Sequence, residues 1–297
     1  MKMTKFLLSG KLFSIAVALG CAVGLAPSAQ AAPKKVLVVT VTKGFRHSSI
    51  PTAEKILGEL AQKSGAFTVD YASVEPSEPK FKGPDGKPDT NKVDQAIREV
   101  LAEKMSLAAL KKYDGVIFAN TTGNLPLPDK QGFLDWIKSG KGFIGTHSAS
   151  DTFHGFPPYI EMLGGEFKEH HAQAVVDCIV QDFHHPACRD FGPTFHLKDE
   201  IYLLKNFDPD KVHGLLMLDK YPNTQEEGHY PIAWAKPYGK GRVFYTSLGH
   251  REDVWDPNTP ESFTRENPKE VSEAYQKHIL GGIRWALGLE RGDAKDK

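Results

Sequence analysis

Cysteine is scarce: the 297 residues hold three, and one of them, Cys21, falls in the first 31. The other two, Cys178 and Cys188, lack the Cys-x-x-Cys spacing of a zinc–thiolate site. A charge excess of one sign is also lacking, because 37 Lys and Arg balance 37 Asp and Glu. Nothing therefore argues for nucleic acid or an anionic membrane surface as a partner, and no basic patch is interleaved with aromatics. There is no internal repeat. The one long uncharged apolar run, residues 12–25, is too short to span a bilayer comfortably. What remains is the composition of a globular protein, 40% hydrophobic and 25% charged, long enough for one large domain or two small ones.

Residues 1–31 read as a signal peptide rather than as part of the fold. Lys2, Lys5 and Lys11 precede the apolar run, and Ala29-Gln30-Ala31 forms a small-x-small cleavage site. The mature chain is expected to begin near Ala32, in a periplasm or outside the cell. In such a compartment Cys178 and Cys188, ten residues apart, can close a loop as a disulfide, although sequence spacing does not decide it. One domain is expected over residues 32–290, followed by a flexible tail, 291–297.

Residues 36–41, Val-Leu-Val-Val-Thr-Val, have the branched character of a buried parallel strand. A helix starts near Ser49, repeats Ala53, Ile56, Leu57, Leu60 and Ala61 at helical spacing, and stops at Gly65. Residues 67–72 form the next strand. This strand–helix–strand opening is the unit of a doubly wound sheet. Residues 75–91, with Pro76, Pro79, Pro84 and Pro88, form an exposed excursion. Further strands are expected over 116–119, 142–145, 174–180 and 212–218, with residues 198–204 joining a polar turn to another. Residues 232–235 and 243–247 read as a hairpin. Helices are expected over 93–103, 107–110, 128–139, 158–163 and 270–287. The expected class is α/β, a mostly parallel sheet with helices on both faces.

The pattern centres on residues 141–154, where an apolar strand turns sharply with His147 at the tip. Gly145 is read as the residue that lets the backbone bend, and Ser148 and Ala149 as leaving room for an approaching group. In open α/β sheets ligands bind beyond the carboxyl ends of the strands. Those ends and the loops after them carry Arg46, His47, Asn120, Thr121, His147, His171, His185, Asp199, Glu200 and His250. Twelve histidines are more than a chain of this length usually holds, so some are structural, and their joint placement is the stronger signal. Neighbours in extended chain point to opposite sides, so only one of Asp199 and Glu200, and one of His170 and His171, is expected to serve a site. His278, on the apolar stripe of the last helix, reads as a core residue.

Residues 142–148 resemble the nucleophile elbow of class I glutamine amidotransferases, with His147 where those enzymes carry cysteine. From residue 35 to residue 288 the chain resembles the ThuA-like (trehalose utilisation) family of the same superfamily. The resemblance is carried by Gly44-Phe45-Arg46-His47, Gly145-Thr146-His147-Ser148, His185-Pro186, Asp199-Glu200-Ile201-Tyr202, Pro231-Ile232-Ala233-Trp234, and Gly241-Arg242-Val243-Phe244-Tyr245 followed by Leu248-Gly249-His250. It implies a flavodoxin-like α/β fold and a link to sugar metabolism. An imidazole at the elbow removes the thiolate that glutamine hydrolysis needs, and Ser148 would point away from His147, so glutaminase activity is not expected.

The function expected is that of an exported enzyme acting on a sugar or an oxidised (keto) glycoside, with a small carbohydrate as its partner. His147 would be a general acid or base and Glu200 its carboxylate partner; His250, with His47, would polarise substrate oxygens. Arg46 would supply a planar donor fork. Asn120, Thr121, His171, His185 and Asp199 complete the expected substrate contacts, and Tyr202 and Trp234 either stack on a sugar ring or pack in the core. No cofactor is expected. In one variant His147, His250, Glu200 and His171 hold a divalent metal, without support from any local ligand spacing. The alternatives are a non-catalytic carbohydrate-binding protein and a metal-dependent hydrolase. The sequence specifies no oligomeric state.

Overall fold

In the computed structural model, which describes Met1 and residues 32–294, the branched run at 36–39 is buried on both sides. Val36 and Val38 face one apolar core, Leu37 and Val39 a second. The signal-peptide expectation for residues 1–31 lies outside the described residues, Met1 apart. The chain runs β1 (Lys34–Val39), α1 (Ile50–Ser64), β2 (Phe67–Ala72), α2 (Thr90–Lys104), α3 (Leu107–Leu110), β3 (Gly115–Ala119), α4 (Lys130–Lys138), β4 (Gly142–Thr146), α5 (Pro157–Leu163), β5 (Glu166–His170), β6 (Ala174–Val180), β7 (Thr194–Asp199), β8 (Tyr202–Lys205), β9 (His213–Lys220), β10 (Glu227–Tyr238), β11 (Gly241–Thr246), α6 (Glu252–Trp255) and α7 (Lys269–Ala286). Local chemistry sets the helix ends. The Asp89 and Asp129 carboxylates accept the first backbone N–H groups of α2 and α4, and left-handed Gly65 closes α1.

Nine strands form one sheet in the order β2-β1-β3-β4-β11-β10-β9-β6-β7, and β5 and β8 form a separate antiparallel pair. The pairings from β2 to β11 are parallel. Those from β11 to β7 are antiparallel. A mostly parallel sheet therefore describes only the half built by helical crossovers; beyond β11 the chain doubles back through hairpin-type connections, which force antiparallel pairing. Helices cover both faces. α1 and α7 pack into the first core, and α2, α4 and α5 into the second. The class is mixed α/β.

The strand expected after the polar turn in residues 198–204 is β8, which starts at Tyr202, and the turn follows a further strand, β7, which ends at Asp199 in the other sheet. Cys178 and Cys188 are free, buried thiols, so no disulfide joins them. Burial pushes the Cys188 thiol up to about 12. Of the tail, residues 291–294 are described, and Gly292 O accepts a hydrogen bond from Trp285 Nε1 at 3.1 Å. No helix among the described residues is long and apolar enough to cross a membrane.

α7 lies unusually close to the chain beneath it. A Cβ on Gly281 would come within 2.1 Å of the Pro186 carbonyl oxygen, which is backbone and cannot swing away. Gly281→Ala should therefore destabilise the fold by about 1–3 kcal/mol, as overpacking does, despite the better helix propensity of alanine. Urea denaturation followed by circular dichroism checks this; an unchanged or higher midpoint would contradict the contact.

Candidate functional site

β4 delivers the chain to a short 3-10 turn, His147–Asp151, at the carboxyl edge of the parallel strands. His147 itself makes the bend, with φ +44°. A left-handed conformation costs an L-residue roughly 1–2 kcal/mol. Gly145 is not the bend. It is small because a Cβ there would meet the Tyr245 ring at 3.0 Å and Ala149 Cβ at 3.1 Å. Two phenols hold the strained turn: Tyr245 OH donates to His147 O at 2.6 Å and Tyr159 OH to Ala149 O at 2.8 Å.

His147 Nδ1 lies 2.9 Å from the Ser247 carbonyl oxygen. A carbonyl only accepts, so Nδ1 carries the proton and neutral His147 presents a lone pair at Nε2. Towards that lone pair come His47 Nε2 at 3.2 Å, His250 Nδ1 at 3.3 Å and Glu200 Oε2 at 3.6 Å. His250 Nδ1 and Glu200 Oε2 are 3.3 Å apart, and all four atoms lie within 4.8 Å of one another. Each comes from a different segment: the loops after β1, β4 and β11, and the bend between β7 and β8. The set is a ready array of nitrogen and oxygen donors for a metal ion.

The loop bearing His250 is anchored at Gly249. Its carbonyl accepts from Ser49 Oγ at 3.2 Å, Asn120 Nδ2 at 2.9 Å and Trp255 Nε1 at 2.9 Å. Its N–H donates to Asp199 Oδ2 at 2.7 Å. Burial raises Asp199 to about 6. Outside the buried centre lies a rim. His170 Nδ1 reaches Glu200 Oε1 at 3.1 Å, and its side chain is 45% exposed, against 0% for His147. The Tyr202 ring sits 4.4 Å from that of His147. Phe45, 69% exposed, meets His47 edge-on at 4.9 Å. A groove of about 620 Å³ runs along Arg46, His47, Glu54 and Glu75. A hollow of about 760 Å³ beside α2 shares no residue with the cluster and carries no histidine.

Electrostatics separates the imidazoles. Burial, then the nearby His47 and His250, holds His147 well below its ordinary 6.5. Burial and His250 lower His47 to about 4. Burial also pulls His250 down, but the Glu200 hydrogen bond and the Asp199 charge outweigh it, and the net direction is up. Two neutral rings and one that favours its proton therefore face a single carboxylate.

The structure brings together His147, Glu200, His250 and His47, with Tyr202 against them and Arg46 on the groove wall, paired to Glu75 at 2.9 Å. Six expected substrate contacts are corrected. Asn120 and Asp199 are buried and spent on Gly249, as above. Thr121 is buried against Thr152 Oγ1 at 2.8 Å. His171 turns away to the Tyr221 hydroxyl at 2.9 Å, and its neighbour His170 reaches Glu200 instead. His185 is buried beside Trp285, with Nδ1 accepting the Ala187 N–H. Trp234 is core, its Nε1 donating to Leu163 O at 2.8 Å. The metal variant named His171 where His47 stands. The signal for His170 was the extended backbone of Glu166–His170, which reads as a loop when its charged residues are taken at face value.

A family model described as ThuA, trehalose utilisation, matches residues 35–286. A thua-like protein of Parabacteroides merdae superposes over 86% of this chain and 90% of its own at 19% identity, with a TM-score of 0.61. A thua-like protein of Bacteroides uniformis covers 86% and 93% at 18% identity, with a TM-score of 0.57. At such identities the likeness is one of fold. No curated protein matches the chain.

One clasp beside the site titrates. His154 bonds Glu166 Oε1 through Nδ1 at 2.7 Å and Asp151 Oδ1 through Nε2. Neither carboxylate can donate when ionised, so both bonds require the imidazolium. Burial pulls His154 down, but the two carboxylates win and its pKa is raised above 6.5. A raised folded-state value means the stabilisation is whole below the unfolded 6.5 and is lost as pH rises through the folded value. His154→Gln should thus cost most near pH 6 and progressively less on the alkaline side, as read by urea denaturation across pH. A cost that grows with pH would contradict the clasp.

Proposed function

The chain belongs to the ThuA (trehalose utilisation) family, and from that premise we propose that it is an enzyme acting on a sugar or an oxidised (keto) glycoside at the His47–His147–Glu200–His250 centre. The observation that carries the reading is the meeting of three imidazole nitrogens and one carboxylate oxygen, drawn from four segments, within 4.8 Å. Burying such groups side by side opposes folding, and nothing in the packing requires them. A site that polarises a substrate oxygen does.

Each part has a task in this reading. The buried imidazoles act on the oxygen of a hydroxyl or carbonyl. Glu200, with Oε1 turned to the exposed His170, takes the proton from the neighbouring atom. Isomerisation and elimination share that step; in hydrolysis the same carboxylate would take the proton of the attacking water instead. Phe45 offers a ring face beside His47, and the groove along Arg46 and Glu75 has room and hydrogen-bonding groups for a disaccharide. Glutaminase chemistry has no support, since residue 147 is imidazole and burial raises both remaining thiols. The parallel half of the sheet supports a flavodoxin-like, amidotransferase-like core. The composition of residues 1–31 supports export to a periplasm or beyond the cell.

The test is a screen of oxidised and unmodified disaccharides with products detected by mass spectrometry. Turnover is expected, with His147→Ala and Glu200→Gln each lowering kcat by about 10²–10⁴-fold. Saturable binding with no product would replace this reading with that of a carbohydrate-binding protein.

A further inference from the structure

We propose that His47 Nε2, His147 Nε2, His250 Nδ1 and Glu200 Oε2 bind a divalent first-row transition-metal ion, and that this ion polarises the substrate oxygen. The second clause rests on the function proposed above; the first does not.

Spacing is the first argument. Bonds of about 2.0–2.2 Å to nitrogen and oxygen place the ligand atoms of a tetrahedral site about 3.3–3.6 Å apart. The distances from His147 Nε2, at 3.2, 3.3 and 3.6 Å, and the 3.3 Å between His250 and Glu200, cluster around that value.

Proton counting is the second. His147 Nε2 has one lone pair, because the ring hydrogen sits on Nδ1, which donates a hydrogen bond to the Ser247 carbonyl. Two ring nitrogens face that lone pair, and it accepts one N–H well. A cation at the centre takes a lone pair from every ring at once, with His250 releasing its proton as the ion binds.

The outer contacts are those of metal-bound histidine. Ser247 O fixes the far nitrogen of His147, and Ser148 Oγ lies 3.3 Å from that of His47. Imidazole and carboxylate without thiolate suit zinc, cobalt, manganese, nickel or iron(II) better than magnesium or calcium. The His250 side chain is 20% exposed, which leaves a side open to a substrate oxygen.

The full chain, stripped by a chelator and dialysed, is titrated with Zn²⁺, Co²⁺ and Mn²⁺ by calorimetry. One ion per chain is expected, with Co²⁺ giving the visible bands of a nitrogen- and oxygen-ligated centre. His147→Ala and the more exposed His250→Ala should weaken binding at least as much as the roughly 10–100-fold that loss of an outer-shell partner costs. Circular dichroism checks that each variant is folded, and a folded His250→Ala suffices if His147→Ala is not. His196→Ala, outside the cluster and paired with Asp177, should bind as wild type does. Failure of all three ions to bind, or equal binding by folded ligand variants, overturns the site. Turnover that survives complete metal removal overturns the ion's catalytic part and leaves the carbohydrate reading intact. A tightly held ion without turnover on any disaccharide supports the site and removes the carbohydrate reading.

Discussion

One hydrogen bond sets the orientation of the imidazole at the strand edge: His147 Nδ1–H to the Ser247 carbonyl, 2.9 Å. It chooses the tautomer and aims Nε2 into the cluster. The bond exists because β4 and β11 are parallel neighbours with Thr146 opposite Thr246, so residues 147 and 247 leave the sheet side by side. Antiparallel pairing would have sent them to opposite edges. The left-handed backbone of His147 is tolerable for the same reason, since the Tyr245 hydroxyl that caps its carbonyl comes from that neighbouring strand.

The two halves of the large sheet contribute differently. The parallel half supplies the imidazoles, on loops that emerge at one edge after β1, β4 and β11. The antiparallel half supplies the carboxylate, at a bend where the chain passes from β7 to β8. At that bend the two acids part: Asp199 holds the Gly249 N–H, and Glu200 joins the imidazoles. The small sheet then brings Tyr202 and His170 alongside, and the His154 clasp ties its first strand to the turn after His147.

Periodicity made much of this legible from residues alone. The strands Phe67–Ala72 and Ala174–Val180 and the helix Leu107–Leu110 stand at the residues their patterns indicate. His147, Glu200 and His250 could be picked out because each follows a strand or sits at its end. Glu166–His170 was not legible as a strand because only its first residue is buried, so its side chains carry no apolar alternation. With that strand missing, the choice between His170 and His171 had no basis. The turn before Tyr202 was legible, but the strand that precedes it, Thr194–Asp199, and the change of sheet between the two were not, since pairing partners are not written in a local window. That His47 rather than His171 completes the set of ligating atoms, and that Trp234 packs in the core rather than on a sugar, depend on which loops and helices meet across the sheet, and no local window contains that.

The Gly249 carbonyl has three donors, Ser49, Asn120 and Trp255, for two lone pairs. Oversubscription of this kind is a form of redundancy. Losing any one of the three lets the other two tighten, so the oxygen is never stranded. The position of His250 is thereby buffered against the loss of any single hydrogen bond at this oxygen.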